Sequence, residues 1–194
     1  MSMRKPQLRA LTAGLALWLA AGAAARADEV AVPINLQAEL LFMIAGHDRN
    51  LPERAGGQVR TLILTRGTDD SVRGAAQFRA VAAARPVVAG LPHVAEVAPY
   101  AGAQALADAC RARRFAIVFL APGFTAADAA DIGKALEGCS VLTAAASPAL
   151  AGNGVVLGFD LVAGRARPVI NLARADRQGV NFAPSVLGLM AVSK

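Results

Sequence analysis

Apolar residues recur along this chain with two periods, one helical and one extended, and their alternation gives the order of elements. From Pro33 to Ala45 the residues Ile34, Leu36, Leu40, Leu41, Phe42 and Ile44 predict an opening helix, closed by Gly46 and the polar run His47 to Asn50. A loop with Pro52, Gly56 and Gly57 follows, and then Val59 to Thr65 (VRTLILT), whose β-branched apolar run predicts a buried strand. Ser71 to Ala84 reads as a helix. Pro86 to Ala89 reads as a weak strand ending in the turn Gly90-Leu91-Pro92. Ala103, Leu106, Ala107 and Cys110 stand at i, i+3, i+4 and i+7, and Arg111, Arg113 and Arg114 close that helix in keeping with its dipole.

Phe115 to Ala121 (FAIVFLA) is continuous and apolar, as a central parallel strand is when helices cover both faces. Thr125 with Asp128 three residues on predicts a capping box, opening a helix through Leu136 that stops at Gly138. Ser140 to Ala145 is the next strand. Gly154 to Val162 and Pro168 to Ala173 then flank Ala163 to Arg167, where Gly164 can supply a positive backbone angle, so an antiparallel hairpin is expected. A final helix starts near Pro184 and carries Val186, Leu187, Leu189 and Met190. The fold class is therefore α/β: a mostly parallel sheet covered by helices on both faces, with a C-terminal antiparallel hairpin and a final helix.

The first residues follow a different pattern. Arg4, Lys5 and Arg9 precede an apolar stretch from Ala10 to Ala25, which closes on Ala25-Arg26-Ala27, a small-x-small cleavage pattern. Residues 1–27 read as a signal peptide cut after Ala27, leaving one domain over residues 28–194. The apolar run is too short and alanine-rich for a membrane span, no cysteine follows to accept a lipid, and Arg4-Lys5 is not a twin-arginine pair. The expectation is general secretion into a periplasm.

That reading changes what the charge means. The whole chain of 194 residues carries a formal +6, which by itself suggests a nucleic-acid partner. Removing Arg4, Lys5, Arg9 and Arg26 leaves 16 basic side chains against 14 acidic ones, or +2 over 167 residues. With seven Phe, one Tyr and no Trp outside the leader, there is also no aromatic platform for single-stranded nucleic acid. No nucleic-acid partner is expected.

The two cysteines, Cys110 and Cys139, each precede a predicted strand. Parallel strands start at the same edge, so the pair can approach disulfide distance in an oxidising compartment, buried free thiols being the alternative. A bridge closing this loop would stabilise the fold by about 3 to 4 kcal/mol. The chain has no C-x-x-C for thiol exchange.

His47 and His93 fall in predicted loops, and although Asp48 and Asp69-Asp70 could join them, no metal-ligand spacing exists. There is no G-x-S-x-G, and Ser71, Ser140, Ser147 and Ser185 fit caps and turns. The glycines of Gly152-Asn153-Gly154 to Gly158 are spaced one residue too far for a dinucleotide loop and lead into a strand. These residues supply no nucleophile, base, metal or cofactor frame, so no enzymatic activity and no cofactor are expected.

Residues 152–192, GNGVVLGFDLVAGRARPVINLARADRQGVNFAPSVLGLMAV, resemble the end of the YfiR-like family. The matching positions are Gly154, Gly164, Ile170, Asn171, Leu172, Ala175, Gly179, Ser185, Leu187 and Leu189. CRARRFAIVFLAPG and SVLTAAASPALAGNGVV are similar to its Cys-led strand and its Val-Leu-Thr strand. Two stretches depart from it: the opening helix has Phe42 alone and runs to Asn50-Leu51-Pro52 where the family has Trp-Pro, and Thr65 to Asp69 replaces a Leu-Gly-Asp turn.

The resemblance implies a periplasmic regulator without enzymatic activity. Its partner would be a membrane-bound signalling protein, a diguanylate cyclase of cyclic di-GMP signalling or a sensor kinase, with sequestration by an outer-membrane protein. A homodimer is a further arrangement left open. Phe159, Arg165 and Arg167 on the hairpin are the candidate partner contact, since Arg and aromatic residues anchor interfaces. The alternative is a core Phe159 beside solvated arginines. From a different class comes a small-molecule receptor or carrier, with a pocket at the carboxyl ends of the parallel strands lined by the turns after Thr65, Ala121 and Ala145.

Overall fold

The computed structural model describes residues 31–193, so the signal-peptide reading of residues 1–27, with Ala25 and Ala27, lies outside the described residues. In chain order the elements are α1 (Ile34–Ala45), α2 (Leu51–Ala55), β1 (Val59–Thr65), α3 (Asp69–Ala83), β2 (Val87–Val88), β3 (Leu91–Pro99), α4 (Ala103–Arg113), β4 (Ile117–Leu120), α5 (Ala126–Ala135) and β5 (Leu142–Ala145). A 3-10 helix (Pro148–Asn153) follows, then β6 (Leu157–Val162), β7 (Arg165–Ile170), α6 (Leu172–Arg177), α7 (Pro184–Leu187) and β8 (Ala191–Val192).

The strands form one sheet in the order β2-β3-β1-β4-β5-β6-β7-β8. From β3 to β6 all neighbours are parallel, whereas β2 and β7 run antiparallel to β3 and β6. Alternate residues of each central strand face opposite layers, which is why the strands read as continuous apolar runs. Ile63, Ile117, Phe119 and Leu142 meet α1 and α3, with Phe78 stacked on Phe119 at 4.0 Å and Phe42 edge-on to Phe78 at 5.5 Å. Leu62, Leu64, Val118 and Leu120 meet α4, α5 and the 3-10 helix on the other side. Three of the aromatic side chains, Phe42, Phe78 and Phe119, thus meet where α1 and α3 are seated on the sheet.

The caps follow the sequence. Thr125 Oγ1 accepts from the Asp128 N–H (3.1 Å) and the Asp128 carboxylate accepts from the Thr125 N–H (2.9 Å), the expected capping box of α5. Ser71 Oγ accepts the Arg66 N–H at 2.9 Å and its own N–H reaches Thr68 Oγ1, both at the start of α3. The β6–β7 hairpin turns through Ala163 (φ 50°) and Gly164 (φ 75°), a primed two-residue turn that matches the twist of its strands.

Several elements differ from the sequence reading. The stretch read as a turn at Leu91 and Pro92 starts β3, which pairs in parallel with the whole of β1. The loop after Asn50 contains α2, closed by Gly56 in the left-handed region. Residues 172 and 173, read as strand, belong to α6, because the Asn171 side chain accepts the Arg174 N–H at 2.9 Å and so caps a helix there. The last helix is one turn long and gives way to β8.

His93 moves with β3 from a loop to a buried strand position. Its Nδ1–H donates to the Arg85 carbonyl (2.9 Å), and its Nε2 accepts from the Thr61 hydroxyl (2.9 Å). Burial holds the imidazole below its ordinary 6.5. The unfolded chain therefore takes up a proton before the folded one as pH falls, so stability declines below about pH 6.5 and is unaffected above it. A melting series from neutral to about pH 5 should fall more steeply for the native chain than for His93→Gln; parallel curves would contradict this.

Candidate functional site

The hairpin, the cysteine pair and the carboxyl edge of the sheet are the three places where candidate residues gather. On the hairpin, Arg165 and Arg167 are exposed and belong with Val162 and Asp160 to one face of the ladder, through the pairs Val162 with Arg165 and Asp160 with Arg167. Phe159 is not on that face. It sits in the core at 1% exposure, because strand alternation turns it toward the α1 layer with Leu157. An aromatic contact from this hairpin to a partner is thus absent in this conformation, and the arginines stand there with Val162, which is 44% exposed.

Cys110, in the last turns of α4, and Cys139, between α5 and β5, line one cleft at the amino-terminal edge of the strands, together with Arg54, Arg114 and Ser140. Both are buried thiols. Burial pushes the Cys110 thiol up to about 12, and the nearby Cys139 adds to the shift. At neutral pH this group carries a negligible fraction of thiolate, so Cys110 is poorly suited to act as a nucleophile.

The metal candidates do not converge. Among the described residues no three His, Cys, Asp or Glu side chains form a metal-holding group. Asp48 is instead buried against Arg54, and its Oδ1 accepts the N–H of Asn50 and of Asn181, each at 3.0 Å. It fastens the α1–α2 connection to the C-terminal segment, which is a structural task.

At the carboxyl edge, a cleft of about 490 Å³ opens between the start of α1, the turns after β4 and β5, and β6. The turns after Ala121 and Ala145 line it as expected, and the turn after Thr65 does not. It lies one strand along from the point where the strand order reverses, between β1 and β4. Gln37 lines it and is wholly buried. Sequence reasoning passed over this residue, although a signal existed: it interrupts the apolar stripe of α1 three residues after Ile34 and four before Leu41.

A family model described as YfiR/HmsC-like (DUF4154) matches residues 35–190. The chain belongs to the YfiR/HmsC-like family. The family-like tail residues acquire physical roles in this YfiR-like domain. Asn171 caps α6 and its Nδ2 donates to the Ala151 carbonyl at 2.7 Å, while Gly154 lies directly against the backbone of α5. No curated protein matches the sequence significantly.

Among solved structures, the domain is similar to an ABC domain from Streptococcus pneumonia in complex with L-Trp (TM-score 0.58, 13% identity, 84% of this chain and 62% of that one). It is also similar to a conserved domain protein from Vibrio cholerae (TM-score 0.55, 14% identity, 84% of this chain and 60% of that one). The chain thus spans about three fifths of each of those proteins. At these identities the likeness concerns the α/β fold. No helix among the described residues is long and apolar enough to cross a membrane.

Proposed function

We propose that this YfiR-like protein is a periplasmic regulator, exported by its cleaved leader, that binds the periplasmic part of a membrane signalling protein and sets its output without catalysing a reaction. The observation that carries the reading is the family match over residues 35–190. The partner is a diguanylate cyclase of cyclic di-GMP signalling or a sensor kinase, and withdrawal by an outer-membrane protein would release it. Physically this is a population shift. A soluble domain that prefers one state of a receptor holds the receptor there, and the coupling is limited by the difference in affinity for the two states.

Arg165 and Arg167 support a contact at the hairpin, since exposed guanidinium groups beside an apolar Val162 suit an acidic, partly apolar patch. Crosslinking in cells followed by mass spectrometry should recover an inner-membrane signalling protein. Arg165→Glu with Arg167→Glu should lower that recovery at least tenfold, the equivalent of about 1.4 kcal/mol. Unchanged recovery removes the hairpin from the interface, and recovery of no membrane signalling protein overturns the regulator reading.

In the same compartment Cys110 and Cys139 form a structural bridge in this proposal, supported by their shared cleft. Without reduction, neither cysteine of the exported chain should react with iodoacetamide under denaturing conditions. Alkylation of both would exclude the bridge. The second reading, a small-molecule receptor or carrier, is favoured by the cleft at the carboxyl edge. The two readings are compatible where ligand occupancy changes the affinity for the partner.

A further inference from the structure

The cleft at the carboxyl edge has the size of a small-molecule site, about 490 Å³. Ile34, Pro122, Pro148, Phe159 and Leu161 make its walls largely apolar. One wholly buried polar side chain interrupts them. The Gln37 Nε2 donates to the Val32 carbonyl at 2.8 Å and to the Ala146 carbonyl at 3.2 Å. These two acceptors fix the orientation of the amide, because a flipped Gln37 would turn its oxygen against both of them. The Oε1 is left without a hydrogen-bond partner in a buried position, a condition that native structures rarely tolerate and that a donor from a ligand would relieve.

Charge narrows the ligand further. Among the described residues, Asp160 is the one charged side chain on the lining, half-buried at the rim, with its Oδ1 accepting the Leu161 N–H at 2.8 Å. Among the described residues no Lys or Arg lines the cleft. A phosphate or carboxylate would enter without a counter-charge and face a carboxylate. Arg167, opposite Asp160 in the hairpin ladder, offsets part of that repulsion from outside the cleft.

We propose that this cleft binds a small neutral or cationic molecule with a compact apolar body and an amide or amine head, whose N–H donates to Gln37 Oε1. The apolar body lies along Ile34, Phe159 and Leu161 and gives affinity, and the buried acceptor gives orientation. The proposal names the ligand class of the receptor reading and is independent of the protein partner.

Three probes of equal body and different head test it: benzamide, benzylamine and benzoate, each titrated at millimolar concentration into the 15N-labelled exported chain. Benzamide and benzylamine should shift the side-chain NH2 resonances of Gln37 and the backbone N–H of Phe159 and Leu161, and benzoate should not. Asp160→Asn, at the half-buried rim, should weaken benzylamine several-fold and leave benzamide unchanged. Leu161→Trp, which fills the mouth of the cleft, should abolish both. Gln37→Met should weaken benzamide about tenfold, and the two rim variants keep the test decisive if that substitution impairs folding. Silence of both donor-bearing probes, shifts at another place, or an equal response to benzoate overturns the proposal. None of these measurements involves a protein partner, so their failure would leave the regulator reading standing.

Discussion

Gly154→Ala is expected to lower the melting temperature of the protein by about 10 °C, the effect of losing roughly 4 kcal/mol in a domain of this size. A Cβ on Gly154 would lie 2.1 Å from the carbonyl oxygen of Ala129 and 2.6 Å from its carbon, both backbone atoms of α5. Neither can withdraw without unwinding the helix. The φ of 140° adds a conformational cost that an L side chain meets and glycine does not. From the other side, a Cβ on Gly133 would lie 2.5 Å from the Gly154 oxygen, so two backbones touch with no side chain between them.

Gly164→Ala separates the two contributions. Its φ is 75°, but a Cβ there would meet nothing within 4 Å, so only the backbone cost of about 1 to 2 kcal/mol applies. Thermal unfolding followed by circular dichroism should rank Gly154→Ala well below Gly164→Ala. If the two melt together, the close approach of α5 and residue 154 is not what fixes glycine there.

The second large effect concerns Asp48. Asp48→Asn retains an oxygen for the N–H groups of Asn50 and Asn181 but leaves the buried Arg54 guanidinium without its counter-charge. Removing one member of a buried ion pair costs about 3 to 5 kcal/mol, because the remaining charge is desolvated and unpaired. The side chains of Asp48 and Arg54 are 0% and 2% exposed, so solvent cannot compensate. The double variant Asp48→Asn with Arg54→Met should recover a substantial part of the loss, since it removes the stranded charge. Urea unfolding of the four proteins of this cycle measures the coupling. Strict additivity would show that the pair is not energetically linked.

The parts of the fold that the sequence announced are those whose signals are local. β1, β4 and β5 are apolar runs between glycines and polar residues, and the periodicity of α4 and the Thr125 to Asp128 box fall within one or two turns. β3 escaped for a physical reason. It lies near the sheet margin, buries only His93 among half-buried and exposed residues, includes Glu96, and begins beside Pro92, so its pairing with β1 across some thirty residues decides its conformation. α6 was legible in principle, since Asn171 before a run of helix formers is a cap signal, but the preceding apolar residues suggested a longer strand.

The candidate site divides in the same way. The carboxyl-edge turns after Ala121 and Ala145 followed from parallel topology alone. The unmet acceptor of Gln37 did not, because it depends on the Val32 and Ala146 carbonyls converging from a chain end and a distant turn. The hairpin was placed correctly, whereas the facing of Phe159 depended on a register that strand propensity does not fix.

The Asp48 knot also bears on the order in which the chain can fold. Its acceptor oxygen waits for the N–H of Asn181, 133 residues later, and Arg49 and Ala183 pair across the same junction at 2.8 and 3.0 Å through Asn181 and His47. Whichever part of the chain is delivered first, the α1–α2 connection cannot be fastened until the segment from Asn181 to Ala183 is present. Until the tail arrives the ion pair has no lid, and a chain cut before Asn181 never acquires one. Closure of this junction therefore couples the first helices of the domain to the segment from Asn181 to Ala183.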